Sequence, residues 1–214
     1  STAMMQIAAL SKKLKNSNVT VIVVDHGLRE ESKNEANIVC KNAKLLGFKF
    51  KILKWNGVKP KTRVQEIARK TRYKLMTSWC KKKGIEKLFL AHHLDDQVET
   101  FLMRLGKGSG VDGLAVMNFV TETSSLKLVR PFLEIPKTRF IEILGITNLE
   151  WISDPSNFNS DYKRSRIRKI LPILSKEGIN SKQIGLVIKR MRSAKHALNS
   201  QTNTLLKKYL SNVD

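Results

Sequence analysis

Six consecutive residues, Val19-Thr20-Val21-Ile22-Val23-Val24, are all β-branched. A run of this kind has no polar face to offer water, so it reads as a strand buried on both sides. Strands of that type belong to parallel sheets covered by helices. The flanking sequence agrees. Residues 1–15 read as a helix, with Met4, Ile7, Ala8 and Leu14 on one side and Lys12, Lys13 and Lys15 near its end, where the dipole favours cations. The run stops at a polar loop, Asp25-His26-Gly27-Leu28-Arg29. Ser32 is expected to cap the next helix, with Glu35 completing a capping box, and that helix runs through Ala36, Val39, Ala43 and Leu46 to Gly47.

Phe48 to Trp55 alternates apolar and lysine residues and is expected to be a strand nearer an edge. Gly57 and Pro60 mark a loop. A helix from Thr62 to Lys83 then carries Val64, Ile67, Ala68, Leu75, Met76 and Trp79 as its apolar stripe, and Leu88–Ala91 forms the next strand. This alternation predicts an α/β fold, a parallel sheet with crossover helices. Further on, Leu126–Val129 reads as a strand, Pro136–Leu144 as a short helix with proline at its start, and Ser153–Asn157 as a turn-rich loop.

Composition then changes. Residues 163–214 hold thirteen Lys or Arg and two acids, Glu177 and Asp214. Pro172 is expected to break this segment, and Asn180–Leu210 to form one long basic helix. The expected division is one domain over 1–174 and a basic linker helix over 175–214, the domain boundary lying near 173–179. The whole chain carries a net charge of +22, a field that recruits polyanions. No run is long and apolar enough to span a membrane and no signal peptide is visible, so nucleic acid in the cytoplasm is the expected partner. Cys40 and Cys80 show no metal-ligand spacing and read as reduced helix residues.

The chemistry concentrates in residues 87–113. There a strand, a polar turn, a helix and a glycine-rich loop follow one another, and strand ends that face helix starts are where open α/β sheets bind ligands. Asp96 and Glu99 lie three apart on one helix face. They are suited to binding a cationic amine, coordinating Mg²⁺ or acting as a base, and equally to complementing the helix dipole. His92 and His93, adjacent at a strand end, are expected to point opposite ways, which disfavours zinc. Gly108-Ser109-Gly110-Val111-Asp112-Gly113 matches Gly-x-Gly-x-x-Gly but follows a helix, so a dinucleotide site is rejected; a loop offering backbone N–H groups to a pocket is retained. Asp25 and His26 form a second candidate pocket wall. Arg130, Arg164, Arg166 and Arg168 are candidate phosphate clamps.

Taken in order, Val24-Asp25-His26-Gly27-Leu28-Arg29, Gln65, Ala68-Arg69, Arg72-Tyr73, Ala91-His92-His93-Leu94-Asp95-Asp96-Gln97-Val98-Glu99-Thr100, Met103-Arg104-Leu105, Gly108-Ser109-Gly110, Arg130-Pro131 and Asp154-Pro155-Ser156-Asn157 resemble the tRNA(Ile)-lysidine synthase family over residues 1–174. The resemblance implies an ATP-pyrophosphatase fold, Rossmann-like and three-layered, of the adenine nucleotide alpha hydrolase type. It implies that ATP with Mg²⁺ adenylates C2 of the wobble cytidine in the CAU anticodon of an isoleucine tRNA. L-lysine then attacks and AMP leaves. By the same resemblance Asp96, Glu99 and His93 are the catalytic or lysine-binding candidates. Ser1, Asp25, His26, His92, Gly108, Ser109 and Gly110 are candidates for holding the nucleotide. Arg104, Arg130, Arg164 and Arg168 are candidates for phosphate or tRNA contacts, and no protein metal cluster is expected.

That family carries an ATP loop, Ser-Gly-Gly-x-Asp-Ser, between a first strand and first helix. The chain begins Ser1-Thr2-Ala3-Met4-Met5, which resembles the last serine of that loop and the helix after it. The polypeptide as written is therefore expected to adenylate poorly or not at all. The family also often carries further C-terminal tRNA-binding domains. Two other readings are a tRNA-thiolating relative, which would use cysteine pairs or a cluster, and a non-catalytic RNA-binding fragment.

Overall fold

The computed structural model describes residues 2–11, 17–28, 30–147, 149–152 and 163–210. Ser1, Lys12, Lys13, Leu14, Lys15, Arg29 and the Ser153–Asn157 loop lie outside the described residues. The chain divides into two compact units: residues 1–91, 120–129 and 138–153 in the first, and residues 92–119, 130–137 and 154–214 in the second.

In the first unit, α1 (Thr2–Leu10) precedes β1 (Thr20–Asp25), α2 (Ser32–Leu45), β2 (Lys49–Lys54), α3 (Val64–Lys82) and β3 (Lys87–Phe89). β1 and β2 pair in parallel from Thr20↔Lys49 to Asp25↔Lys54, as the strand–helix alternation requires. β1 is half-buried throughout rather than fully covered; among the described residues it has one hydrogen-bonded neighbour, β2, so it is an edge. A second sheet has the order β3-β5-β4, with β4 (Val120–Glu122) and β5 (Lys127–Val129). β3 and β5 are parallel, while β4 runs antiparallel to β5. No sequence signal separated β4 from the surrounding loop, since three residues are too few to show a period. Met76, Cys80, Leu88, Leu126 and Leu128 form the core, with Ile22, Val24 and Leu53 against it.

The ends of α2 show how this unit's turns are set. Ser32 is the first helical residue and Glu31 sits at the cap without a side-chain bond, so the expected capping box is absent. The other end closes with a Schellman arrangement: Phe48 N–H donates to Ala43 O at 2.9 Å and Gly47 N–H to Lys44 O at 3.0 Å. Gly47 has φ +76°, a left-handed conformation that glycine adopts without a Cβ clash. The remainder of the unit includes most of α6 (Lys137–Gly145). Asn42, 2 % exposed, donates to Glu150 O at 2.6 Å.

The second unit is helical. It comprises α4 (Leu94–Leu105), the short α5 (Val111–Leu114), α7 (Lys163–Lys176) and α8 (Ser181–Leu210). α7 continues through Pro172, which was expected to break it; one proline costs one intrahelical bond, and the burial of Ile167 and packing of Leu171 offset it. Val98, Phe101, Ile184 and Ile188 form the core with Leu94, Leu102 and Leu171 around them. A Cβ on Gly185 of α8 would come within 3.0 Å of Leu94 Cδ1, so this glycine lets α8 approach α4 closely. The basic helix expected over 180–210 is therefore, over its first turns, a packed element of the same unit.

Candidate functional site

His92 and His93 are not strand residues. His93 makes an isolated parallel bridge with Phe132 and occupies the N-cap of α4 in an extended conformation, φ −127°. The first two turns of α4 then place three carboxylates, Asp95, Asp96 and Glu99, within a short stretch of chain. Asp96 reaches back to accept the His93 N–H at 3.1 Å, which satisfies one of the four donors a helix start leaves open. The His93 ring lies between two acids, Nδ1 3.4 Å from Asp95 Oδ2 and Nε2 3.5 Å from Asp96 Oδ2.

Asp95 also accepts the Lys137 N–H at 2.8 Å, at the first residue of α6. Burial pushes the Asp95 carboxyl up, but the hydrogen bonds from His93 and Lys137 outweigh it and hold the group below the usual carboxylate range. Asp95 was not among the expected site residues. Its adjacency to Asp96 was visible in the sequence, but the partner 42 residues on was not.

Glu99 lies one turn further along α4 and is 1 % exposed. An ionised carboxylate at that depth needs a cation, and Arg168 of α7 supplies it. Arg168 Nε donates to Glu99 Oε1 at 2.5 Å and Nη2 to Oε2 at 3.3 Å, a two-pronged contact. The bond to Glu99 leads the causes that raise Arg168 above the ordinary arginine value, with Asp96 and Asp95 adding to it. Arg164, one turn before Arg168, approaches Glu99 Oε2 at 4.0 Å and donates to Thr100 Oγ1 at 3.3 Å. Thr100 in turn donates to Asp96 O at 2.7 Å. Asp96, Glu99, His93, Arg164 and Arg168 thus come together in one polar cluster of the second unit, with Asp95 and Thr100 as unforeseen members.

The remaining candidates are placed elsewhere. Arg104 donates from Nη1 to Gly113 O at 2.7 Å, and its own carbonyl accepts the Ser109 N–H at 3.1 Å. It folds the 106–113 loop back on the end of α4. Gly113 has a structural reason to be glycine: a Cβ there would meet Ser109 Cβ at 2.6 Å. Gly108 takes φ +69° and Gly110 caps α5, so the glycine pattern here serves a compact turn. Arg130 is 8 % exposed and donates from Nη1 to Asn118 O at 3.0 Å. Gln97, 2 % exposed, clamps Met117 by accepting its N–H at 3.1 Å and donating to its carbonyl at 3.5 Å.

Asp25 and His26 belong to the first unit, where Asp25 Oδ1 accepts the Gly27 N–H at 3.0 Å. His26 O accepts from Lys59 Nζ at 2.5 Å, and that ammonium sits 4.2 Å over the Trp55 ring. Cys40 and Cys80 are both buried, and burial pushes their thiols up; this is the opposite of the environment that makes thiolate ligands or nucleophiles.

Parallel strands joined by helices, with acids and a histidine at the start of a helix that follows a strand, define an α/β protein of the kind that works at helix N-termini. The profile of the PP-loop domain matches residues 1–174, and the chain belongs to the PP-loop family. It is 40% identical over 206 residues to the tRNA(Ile)-lysidine synthase of Methylobacterium nodulans, a match that covers 96% of this chain and 60% of that protein. It is 40% identical over 189 residues to the tRNA(Ile)-lysidine synthase of Wolbachia pipientis, covering 88% of this chain and 44% of that one. The chain thus spans about half the length of such relatives. Among solved structures, the U34-tRNA thiolase NcsA from Methanococcus maripaludis with its [4Fe-4S] cluster superposes with a TM-score of 0.73 at 19% identity, covering 90% of this chain and 68% of that one. That likeness concerns the fold.

Proposed function

We propose that the chain carries the catalytic part of a cytoplasmic tRNA(Ile)-lysidine synthase, a ligase that joins L-lysine to C2 of the wobble cytidine in a CAU anticodon through an ATP-derived adenylate. The observation that carries the reading is the acid turn at the start of α4. It lies in a PP-loop chain whose match to a lysidine synthase extends over 96% of its length. The net charge of +22 suits a tRNA substrate.

Asp96 is our candidate for the lysine ammonium or the Mg²⁺ of ATP. Its Oδ2 is engaged by His93, while Oδ1 has no hydrogen-bond partner among the described residues, so a cation has an oxygen to bind. Mg²⁺ commonly takes one or two carboxylates and fills its shell with phosphate oxygens and water, and the pair Asp95 and Asp96 fits that donor set. The ion would neutralise phosphate charge as the adenylate forms and pyrophosphate leaves, before lysine displaces AMP.

Glu99 has both oxygens on Arg168, so in this reading it positions the Arg168 guanidinium and does not grip lysine itself. Arg168 and Arg164 are then oriented cations suited to phosphate. His93, held between Asp95 and Asp96, and His92 beside it are assigned to the nucleotide or adenylate. Asp25 and His26 of the first unit and Gly108, Ser109 and Gly110 of the second remain proposed nucleotide contacts, and Arg104 and Arg130 proposed phosphate or tRNA contacts.

The test is incubation of the full-length product, with the family's ATP loop included, with labelled lysine, ATP and isoleucine tRNA transcript. Lysine is expected to enter the tRNA and AMP to be released in equal amount; absence of incorporation overturns the assignment. Asp96→Asn is expected to abolish incorporation while leaving the melting temperature within a few degrees. Unchanged activity in that variant removes Asp96 from the site.

A further inference from the structure

A groove of about 870 Å³ lies within the second unit, between the start of α4, the 133–136 segment and the first turns of α8. Nothing assigned above uses it. Its walls differ in chemistry. Leu94, Leu133, Pro136 and Leu186 supply apolar lining. Leu186 is 43 % exposed, so apolar surface is open to a ligand. Along the α8 wall stand Lys182 and Lys189, both exposed and seven residues apart, hence two turns apart on one face.

The same face continues to His196, and no acid occurs anywhere in Ser181–Leu210. The one carboxylate among the residues lining the groove, Glu134, comes from the 133–136 segment. The groove is also held in place. Arg192 donates to Met117 O at 3.1 Å, Gln97 clamps the same residue, and Gly185 packs against Leu94.

An apolar lining with two exposed lysines along one helix face matches one ligand chemistry well. A base unstacked from an RNA loop offers an apolar face, while its backbone carries anions on one side only. Single-stranded RNA is recognised by splayed bases held against apolar surfaces with the phosphates on Lys or Arg. A duplex keeps its bases stacked inside and has nothing to insert.

We propose that this groove receives an unstacked loop nucleotide of the RNA substrate, with its base on Leu186 and Leu94 and its phosphates on Lys182 and Lys189. The inference rests on the reading of the protein as a tRNA-modifying enzyme and adds a base-holding site outside the acid turn.

The test measures binding of the full polypeptide to two RNAs by fluorescence anisotropy, a stem–loop shaped as an anticodon arm and a fully paired duplex of equal length. Lys182→Ala with Lys189→Ala is expected to weaken stem–loop binding about tenfold and to flatten its dependence on salt by about 1.4 in log–log slope, the loss of two single-strand phosphate contacts. Leu186→Ser, a neutral change at an exposed position, is expected to weaken the stem–loop about fivefold and to leave the duplex unaffected. Thermal melts confirm that the variants fold.

Equal losses on loop and duplex, no loss on either, or no binding of the stem–loop by the unaltered protein overturn the proposal. The lysine-incorporation assay separates it from the functional reading. Lost transfer activity with loop binding intact and groove-dependent sinks the ligase and leaves the groove. Full transfer with loop binding unchanged in the variants sinks the groove and leaves the ligase.

Discussion

The two units are built on different principles. The first is organised by apolar side chains: Met76, Cys80, Leu88, Leu126 and Leu128 meet between helices and strands, and its buried polar contact at Asn42 is a single neutral hydrogen bond. The second buries charge. Glu99 and Gln97 are as deeply covered as Val98 between them, so one stretch of α4 carries a core position and two polar pins side by side. A shape held by dispersion and water exclusion tolerates substitution in proportion to volume. One held by a buried ion pair depends on both partners at once. The candidate site lies in the second kind, where a charged group is fixed in place before any substrate arrives.

The comparison breaks if the buried Glu99–Arg168 pair responds to substitution as an apolar core position does. The largest effects are expected from Phe101→Ala in the second unit, about 3–5 kcal/mol, and Met76→Ala in the first, about 2–5 kcal/mol, in urea denaturation. Next comes Glu99→Ala. Removing one partner of a buried pair costs about 3–5 kcal/mol, but Arg168 keeps 34 % of its side chain in water and recovers part of that, so about 2–3 kcal/mol is expected after solvent screening. The sharper measurement is the double variant. Glu99→Leu with Arg168→Met is expected to lose less than Glu99→Ala alone, because no charge is left stranded. A double variant that loses the sum of two singles shows that the pair is not coupled and removes the distinction between the units.

The same contrast explains what could be read in the sequence. Burial by apolar residues leaves a period, so α2, α3, α4 and the parallel strands β1, β2 and β3 were legible to within a few residues, as were Asp96 and Glu99 on one face of α4. The Glu99–Arg168 pair was not, because 69 residues separate its members and a long-range ion pair leaves no local pattern. One signal was present: Arg164 and Arg168 lie one turn apart on a helix without acids, so their counter-charge had to come from elsewhere. His93 reads as a strand-end residue because the apolar run Leu88–Ala91 leads into it. The helix in fact begins one residue later, and Asp96 draws the His93 N–H into its cap. Pro172 was read as a breaker on its local effect alone, which packing of Leu171 and Ile167 outweighs.

The smallest of these effects probes whether the polar pins of the second unit act singly or together. Asp95 binds the Lys137 N–H at 2.8 Å and faces the His93 ring, so it works as a cap for α6 supplied from another helix. Loss of such a side-chain cap costs about 1 kcal/mol, and Asp95→Ala is expected to fall near that. The pH dependence carries the sharper information. Its carboxyl is held below the ordinary range in the folded protein, whereas in the unfolded chain it titrates at about 3.9. The unfolded state therefore binds the proton first as pH falls. The contribution of Asp95 is complete above the unfolded value and is lost as pH drops through the folded one. Denaturation midpoints measured from neutral pH into acid should fall less steeply for Asp95→Asn than for the unaltered protein, with the two curves converging at the acid end. If the curves stay parallel, ionised Asp95 contributes nothing, and the cap is held by its neutral hydrogen bond alone.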